Sequence, residues 1–310
     1  MHRLEVEFTN GGVTLAGTVT LPDGEGPWPG IVTVHGASAG SRDFRLFTHL
    51  ESLLAPAGMA VLRYDRRGSG ASAGDFYAAS FEALADDALA ALGTLAGQPG
   101  VDPTRIGLFG FSQGGWIAPL AASRSASVAF MVLVGACAVT PAEQMSYVAA
   151  TQIAEAGHGP AAVRRALEVR AAVDEALRGR RPRREAAELV RTISGEPWFE
   201  LAWLSAPPAE PNDEDRKWRL EMDYDVRPLL EGLDLRVLLL HGSHDRWTPV
   251  PASRDAWQTA FAGRPGLLDA ELLAGTGHYP TLASGQAGEE DAPISPDYEA
   301  VLLRWLRRLT

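Results

Sequence analysis

Gly110-Phe111-Ser112-Gln113-Gly114 follows an apolar run, Arg105-Ile106-Gly107-Leu108-Phe109, and precedes a helix-like run, Trp116-Ile117-Ala118-Pro119-Leu120-Ala121-Ala122. The stretch has the form G-x-S-x-G. A strand that turns sharply into a helix at a serine pushes the hydroxyl into the open, in a strained backbone conformation. Glycines two residues before and after the serine are needed because side chains there would collide in so tight a turn. The helix that follows aims backbone N–H groups and a positive dipole end at the same place. This geometry suits a nucleophile whose attack creates an oxyanion.

A serine hydroxyl is a poor nucleophile at neutral pH and needs a base within hydrogen-bond reach, with an acid to orient that base. The seven histidines are His2, His35, His49, His158, His241, His244 and His278. In open α/β sheets ligands bind at the carboxyl ends of the strands, so the partners of Ser112 should lie on loops there. His278 fits best. It sits in Gly275-Thr276-Gly277-His278-Tyr279-Pro280, after a strand-like run, Leu267 to Leu273, and before the final helix. Asp245 is the matching acid, in the turn that leaves Val237-Leu238-Leu239-Leu240-His241-Gly242-Ser243-His244. Its other reading is an Asx-turn former. His241 and His244 lie close by, but two histidines without a third clear ligand make a thin case for a metal, and none is expected.

The developing oxyanion needs two backbone N–H groups. One is expected from Gln113. The other is expected from the loop His35-Gly36-Ala37-Ser38-Ala39-Gly40, where small residues let backbone approach a substrate. Ala37 is the preferred second donor, with Gly36 and Ser38 as near alternatives, and His35 reads as structural. Asp65-Arg66-Arg67-Gly68-Ser69-Gly70 follows the next strand. Its charges either brace the loop through ion pairs and turn bonds, the preferred reading, or contact a substrate.

The rest of the chain reads as a framework for these loops. Residues 4–8 and 13–21 alternate in a strand-like way around Asn10-Gly11-Gly12, a hairpin turn signal. Ile31 to Val34, Met59 to Leu62, Leu108 to Phe111, Val128 to Val134 and Val237 to Leu240 are short apolar runs without alternation, as strands buried on both faces of a parallel sheet are. Helical patterns lie between them at about 43–57, 80–97, 113–124, 251–262 and 297–309. Together these predict a mostly parallel sheet covered by helices on both faces.

The alternation stops between about 140 and 232. Pro141 to Ala156, Pro160 to Leu177 and Arg184 to Ile193 are helix-like, and the segment reads as an insertion between two strands. It carries a basic patch, Arg178 to Arg184, and an acidic patch, Glu210 to Asp215, read as solvated helix faces and a loop. It also holds Trp198, Trp203 and Trp218. Trp198 and Trp203, in one aromatic run, are poised between helix packing and lining a substrate pocket.

Composition narrows the function class. The chain is 46% hydrophobic and 22% charged over 310 residues, enough for a sizeable core. Its net charge of −11 argues against nucleic acid and against an anionic membrane surface as partners. The one cysteine, Cys137, leaves no internal disulfide and reads as a small buried residue. No stretch is apolar enough to span a bilayer and the N-terminus has no signal-peptide core, so a cytoplasmic protein is expected. Oligomeric state is not written in the sequence, and a homo-oligomer is compatible with it.

Ser112, then Asp245, then His278 is the nucleophile–acid–base order of the α/β-hydrolase fold. With His35-Gly36-Ala37-Ser38 and Asp65-Arg66-Arg67-Gly68-Ser69-Gly70, the chain resembles serine α/β-hydrolases, and most of all bacterial carboxylesterases close to the prolyl-oligopeptidase and dienelactone-hydrolase groups. The resemblance covers about 1–140 and 232–310, and implies a core domain there with a helical cap at 141–231. It implies an eight-stranded, mostly parallel sheet flanked by helices. It also implies cofactor-free cleavage of a small-molecule ester through an acyl-enzyme on Ser112. Dehalogenase and epoxide-hydrolase relatives use aspartate there and dienelactone hydrolases use cysteine, so those chemistries are disfavoured. The loop lacks the longer glycine run of hormone-sensitive-lipase-like esterases. A peptidase or amidase would share the site. A non-catalytic binding protein and a lyase on the same fold are readings of a different class.

Overall fold

The computed structural model describes residues 1–37, 40–282 and 288–309. The chain divides into two compact units. The first comprises Met1–Ala138, Val226–Asp245 and Val250–Thr310, and the second Val139–Asp225 with Arg246–Pro249.

The first unit is built on one eight-stranded sheet. Its strands are β1 (His2–Asn10), β2 (Val13–Leu21), β3 (Trp28–Val34), β4 (Ala60–Tyr64), β5 (Val101–Phe111), β6 (Phe130–Val134), β7 (Arg236–Gly242) and β8 (Leu268–Leu273). They lie in the order β1-β2-β4-β3-β5-β6-β7-β8. β1 and β2 form the hairpin that the turn signal predicts, with Asn10 paired to Val13 across Gly11 and Gly12. Both glycines have positive φ (57° and 81°), the conformation that a two-residue hairpin turn demands. From β4 to β8 every pairing is parallel. All five residues of β4 and of β6 are buried, which explains their lack of alternation.

β5 begins at Val101, well before the apolar run from Leu108. Its first residues include exposed Pro103 and Thr104, so hydrophobicity does not mark them, and only the pairing of Val101 with Trp28 defines that end. The first unit also holds α1 (Arg45–Leu54), α2 (Phe81–Ala96) and α3 (Gly114–Arg124). One sheet face packs Phe47, Leu50 and Leu54 of α1 against Ile31, Val61, Phe109 and Phe130, and Tyr298, Leu302 and Trp305 join the same cluster.

The second unit is helical. It contains α4 (Pro141–Glu155), α5 (Pro160–Leu177), α6 (Arg183–Ile193) and α7 (Asp213–Glu221). Thr140 caps α4 in a reciprocal capping box with Glu143. Ile153, Val169, Val173, Val190, Ile193, Trp198 and Met222 form its core. α7 starts inside the acidic patch that the sequence reads as loop. Asn212 caps it by accepting the Asp215 N–H, and Asp213, Glu214 and Asp215 sit in its first turn, where the helix dipole favours negative charge. The acidic and basic patches meet at Arg183 and Asp215, 2.6 Å apart.

The first unit also holds α8 (Arg227–Leu230), α9 (Val250–Phe261) and α10 (Pro296–Leu306). α10 covers the same face as α1. α2, α3, α8 and α9 pack side by side in that order. Among the described residues no helix is long and apolar enough to cross a membrane.

The strand order reverses at β3. The chain passes from β3 to β4 on one side, then crosses to β5 on the other. The carboxyl ends of β3 and β5 therefore diverge into a crevice, the place where open α/β sheets bind ligands.

Candidate active site

Ser112 stands at the carboxyl end of β5, with φ of +52°. It is one of two non-glycine residues with positive φ among the described residues. Such a conformation costs an ordinary residue about 1–3 kcal/mol and persists only when the surroundings impose it. The surroundings here are glycines under backbone. A Cβ on Gly110 would lie 2.6 Å from the Gly114 carbonyl oxygen, and one on Gly114 would lie 2.6 Å from that of Val34. Gly115 is equally constrained, since its Cβ would lie 2.4 Å from the Ala136 Cβ. The Ser112 N–H donates to Val134 O at 2.9 Å, tying the turn to β6.

Three sequence-predicted residues converge at this turn. His278 Nε2 lies 2.9 Å from Ser112 Oγ. His278 Nδ1 lies 3.0 Å from Asp245 Oδ2 and 3.2 Å from Oδ1. The carboxylate accepts only, so Nδ1 carries the proton and Nε2 is left to accept from the serine. Asp245 comes from the turn after β7 and His278 from the loop after β8, and both are buried. The imidazole sits against Gly135, where a Cβ would lie 3.0 Å from Cε1, and its ring centroid is 5.3 Å from that of Phe111. Burial pulls the His278 pKa down. The negative charge of Asp245, its hydrogen bond and the charge of Glu289 more than offset this, and the pKa stands above the ordinary 6.5.

Glu289 is the residue that sequence reading missed. It is 5% exposed, and its Oε1 accepts the Tyr279 N–H at 2.7 Å. A Cβ on Gly277 would lie 2.2 Å from the same oxygen, so the carboxyl presses on the backbone on both sides of His278. Burial pushes the Glu289 pKa up, opposed by the Tyr279 N–H and by His278. Nothing in Glu289-Glu290-Asp291 singles out the first acid as the buried one. The glycine before His278 is the only trace of it in the sequence.

Of the two expected oxyanion donors, Gln113 directly follows Ser112, and Ala37 follows a glycine that lies against it. Gln113 is the buried residue before α3. Gly36 carries the other loop against the nucleophile, since a Cβ on it would meet Phe111 Cδ1 at 3.1 Å and Ser112 Cβ at 3.4 Å. Ala37 follows, and Ser38 lies outside the described residues. His35 packs edge-on between Phe47 and Tyr64, with centroids 5.1 Å away in each case. Burial and the neighbouring Arg66 lower its pKa to about 3, so it is held neutral.

The loop after β4 is cross-braced. Asp65 accepts the Arg42 and Ala71 backbone N–H groups at 2.8 and 2.9 Å and the Arg42 Nε at 3.1 Å. Arg67 pairs with Asp87 through two bonds of 2.6 Å. Arg66 donates from Nη1 to the carbonyls of Gly36 and Ala37 at 2.7 and 3.0 Å.

The remaining candidates have other surroundings. His241 is buried with Nε2 2.8 Å from Ala136 O, and burial lowers its pKa. His244 Nδ1 lies 3.0 Å from Ser243 Oγ. Among the described residues no cluster of three or more His, Cys, Asp or Glu is arranged to hold a metal. Trp198 is 4% exposed inside the core of the second unit. Trp203 is 50% exposed, has φ of +51°, lies edge-on to Trp247 at 5.0 Å and donates its Nε1–H to Gln152 Oε1 at 2.9 Å.

Residues 31–289 match the model of a family described as the alpha/beta hydrolase family. A stretch of 115 residues is 33% identical to esterase FrsA of Enterobacter sp. (strain 638). That stretch is 37% of this chain and spans only 27% of the relative's length. Among solved structures, an esterase of Pyrococcus furiosus superposes with a TM-score of 0.62 at 17% identity, over 99% of this chain and 91% of that one. A proline iminopeptidase of Mycobacterium smegmatis superposes with a TM-score of 0.60 at 18% identity, over 99% and 98%. At such identities these two likenesses speak for the fold alone.

Proposed function

We propose, from the premise that this chain belongs to the alpha/beta hydrolase family, that it is a serine hydrolase cleaving carboxylic esters through an acyl-enzyme on Ser112. The observation that carries the reading is the relay from Asp245 through His278 to Ser112 Oγ, at 3.0 and 2.9 Å, ending on a serine held at positive φ.

In this mechanism His278 Nε2 takes the Ser112 proton as Oγ attacks the ester carbonyl carbon. Asp245 keeps the imidazole in the required tautomer and stabilises the imidazolium. The N–H groups of Gln113 and Ala37 hold the tetrahedral oxyanion, which collapses as His278 protonates the leaving alcohol. A water deprotonated by the same nitrogen then attacks the acyl-enzyme, releasing the acid and returning the proton to Ser112. No cofactor takes part. Trp203, half exposed in the second unit, is the proposed apolar contact for substrate. The esterase relative supports ester substrates over amides.

The test is hydrolysis of a short-to-long p-nitrophenyl ester series by wild type and Ser112→Ala, alongside matched anilides. Wild-type ester cleavage should fall by about 10⁴-fold or more in the variant. Near-normal activity in Ser112→Ala would sink the reading. Faster cleavage of anilides than of esters would turn it to an amidase.

A further inference from the structure

Arg66 is buried beside the expected oxyanion loop, yet the acyl-transfer mechanism above gives it no part. Its guanidinium carbon lies over the Phe76 ring, 3.5 Å from the centroid. From there Nη1 donates to two consecutive carbonyls, Gly36 O at 2.7 Å and Ala37 O at 3.0 Å. The backbone N–H of the same residue donates to Gly40 O at 2.8 Å. One residue thus grips the loop after β3 at three points.

We propose that Arg66 is a positioning residue for the oxyanion site, which orients and polarises the Ala37 N–H through the Gly36 carbonyl. The inference rests on the serine-hydrolase reading. Its physical basis is the peptide unit itself. The Gly36 carbonyl and the Ala37 N–H belong to one planar amide, and that amide is trans. In a trans amide the two bonds point in opposite directions. A cation that fixes the carbonyl on one side therefore fixes the N–H on the other. The same contact draws electron density from nitrogen to oxygen, so the N–H becomes a stronger donor, as in any polarised chain of hydrogen bonds. The loop so held is the one whose Gly36 lies against Ser112.

A lysine cannot reproduce this. Its ammonium is a compact, strongly hydrated point charge on a flexible stem, without the planar guanidinium that packs over the Phe76 ring while Nη1 reaches both carbonyls. Arg66 touches neither substrate nor Ser112 in this role, so its effect must appear where negative charge develops rather than where substrate binds.

The experiment compares wild type, Arg66→Met, Arg66→Lys and Ser112→Ala in the full chain. Two readouts are taken: kcat and KM on p-nitrophenyl acetate, and the rate at which a fluorophosphonate labels Ser112. Arg66→Met should lose about 10- to 100-fold in kcat and in labelling rate, somewhat less than removal of an oxyanion donor, with KM changed less than about threefold. Arg66→Lys should recover only part of the loss, and serves alone if Arg66→Met does not fold. Thermal melting separates a folded, slow variant from an unfolded one. If the folded variants turn over and label within about threefold of wild type, or if the loss lies in KM, the proposal is overturned while the serine mechanism stands. If Ser112→Ala keeps full activity, or if wild type neither hydrolyses nor labels, the serine reading falls and takes this one with it.

Discussion

The carboxylate of Glu289 accepts the Tyr279 N–H at 2.7 Å, one residue beyond His278. The same oxygen closes off the space where a side chain on Gly277 would stand. The base is thus faced by two acids, Asp245 on its ring nitrogen and Glu289 on its backbone.

Glu289 raises the His278 pKa through its charge. Glu289→Gln keeps an oxygen for the Tyr279 N–H and removes the charge, so the His278 pKa should fall. The base must be neutral to act, so the acidic limb of kcat/KM against pH should move to lower pH. An unmoved limb would show that the carboxyl carries no charge in the working enzyme.

In wild type that limb should have its midpoint above 6.5, because the folded-state pKa of His278 is raised. Activity should be lost as pH falls through the midpoint. Asp245→Asn removes the charge with the larger effect on His278 and permits the wrong tautomer, and should cost about 10⁴-fold in kcat. A midpoint below 6.5 in wild type would contradict the balance of burial and charge described here.

Gly114→Ala drives a methyl to 2.6 Å from the Val34 carbonyl oxygen, which is backbone and has little room to move. Overpacking of this kind costs about 1–3 kcal/mol, occasionally more. Chemical denaturation should show that loss, and activity should fall with it because the Ser112 turn shares the contact. Gly263→Ala, at a site with nothing within 4 Å of the added carbon, is the control and should lose neither stability nor activity.

Trp203 has a left-handed backbone, and its Ala202 and Trp203 carbonyls both accept from Arg170. Trp203→Gly accepts that φ without strain, whereas Trp203→Ala does not. The glycine variant should be the more stable by about 1 kcal/mol or more in thermal or denaturant unfolding. If Trp203 contacts substrate, both variants should raise KM for long-chain or aryl esters while kcat on acetate stays near wild type. An unchanged KM across the ester series would leave Trp203 with a packing role only.

The chain's own order of residues carried the fold class. Apolar runs without alternation, spaced by helical stripes, specify buried parallel strands because such strands meet side chains on both faces and tolerate no polar register. Gly110, Ser112 and Gly114 specify a strand–turn–helix because a side chain at either glycine would strike backbone around a serine at positive φ. α7 was written in Asn212-Asp213-Glu214-Asp215, and only its acidity disguised a helix start as a loop.

What the tertiary structure decided are contacts between segments far apart in sequence. Ser112 and His278 are 166 positions apart, yet meet at 2.9 Å because β5 and β8 end on the same edge of the sheet. Glu289 differs from Glu290 and Asp291 only in facing the His278 loop, a matter of where that loop folds. Arg66 and Arg67 are adjacent and alike, but one grips the Gly36 carbonyl and the other Asp87. Local sequence sets which backbone shapes are affordable. Which charge faces which partner depends on loops closing over one another, and no local pattern records that.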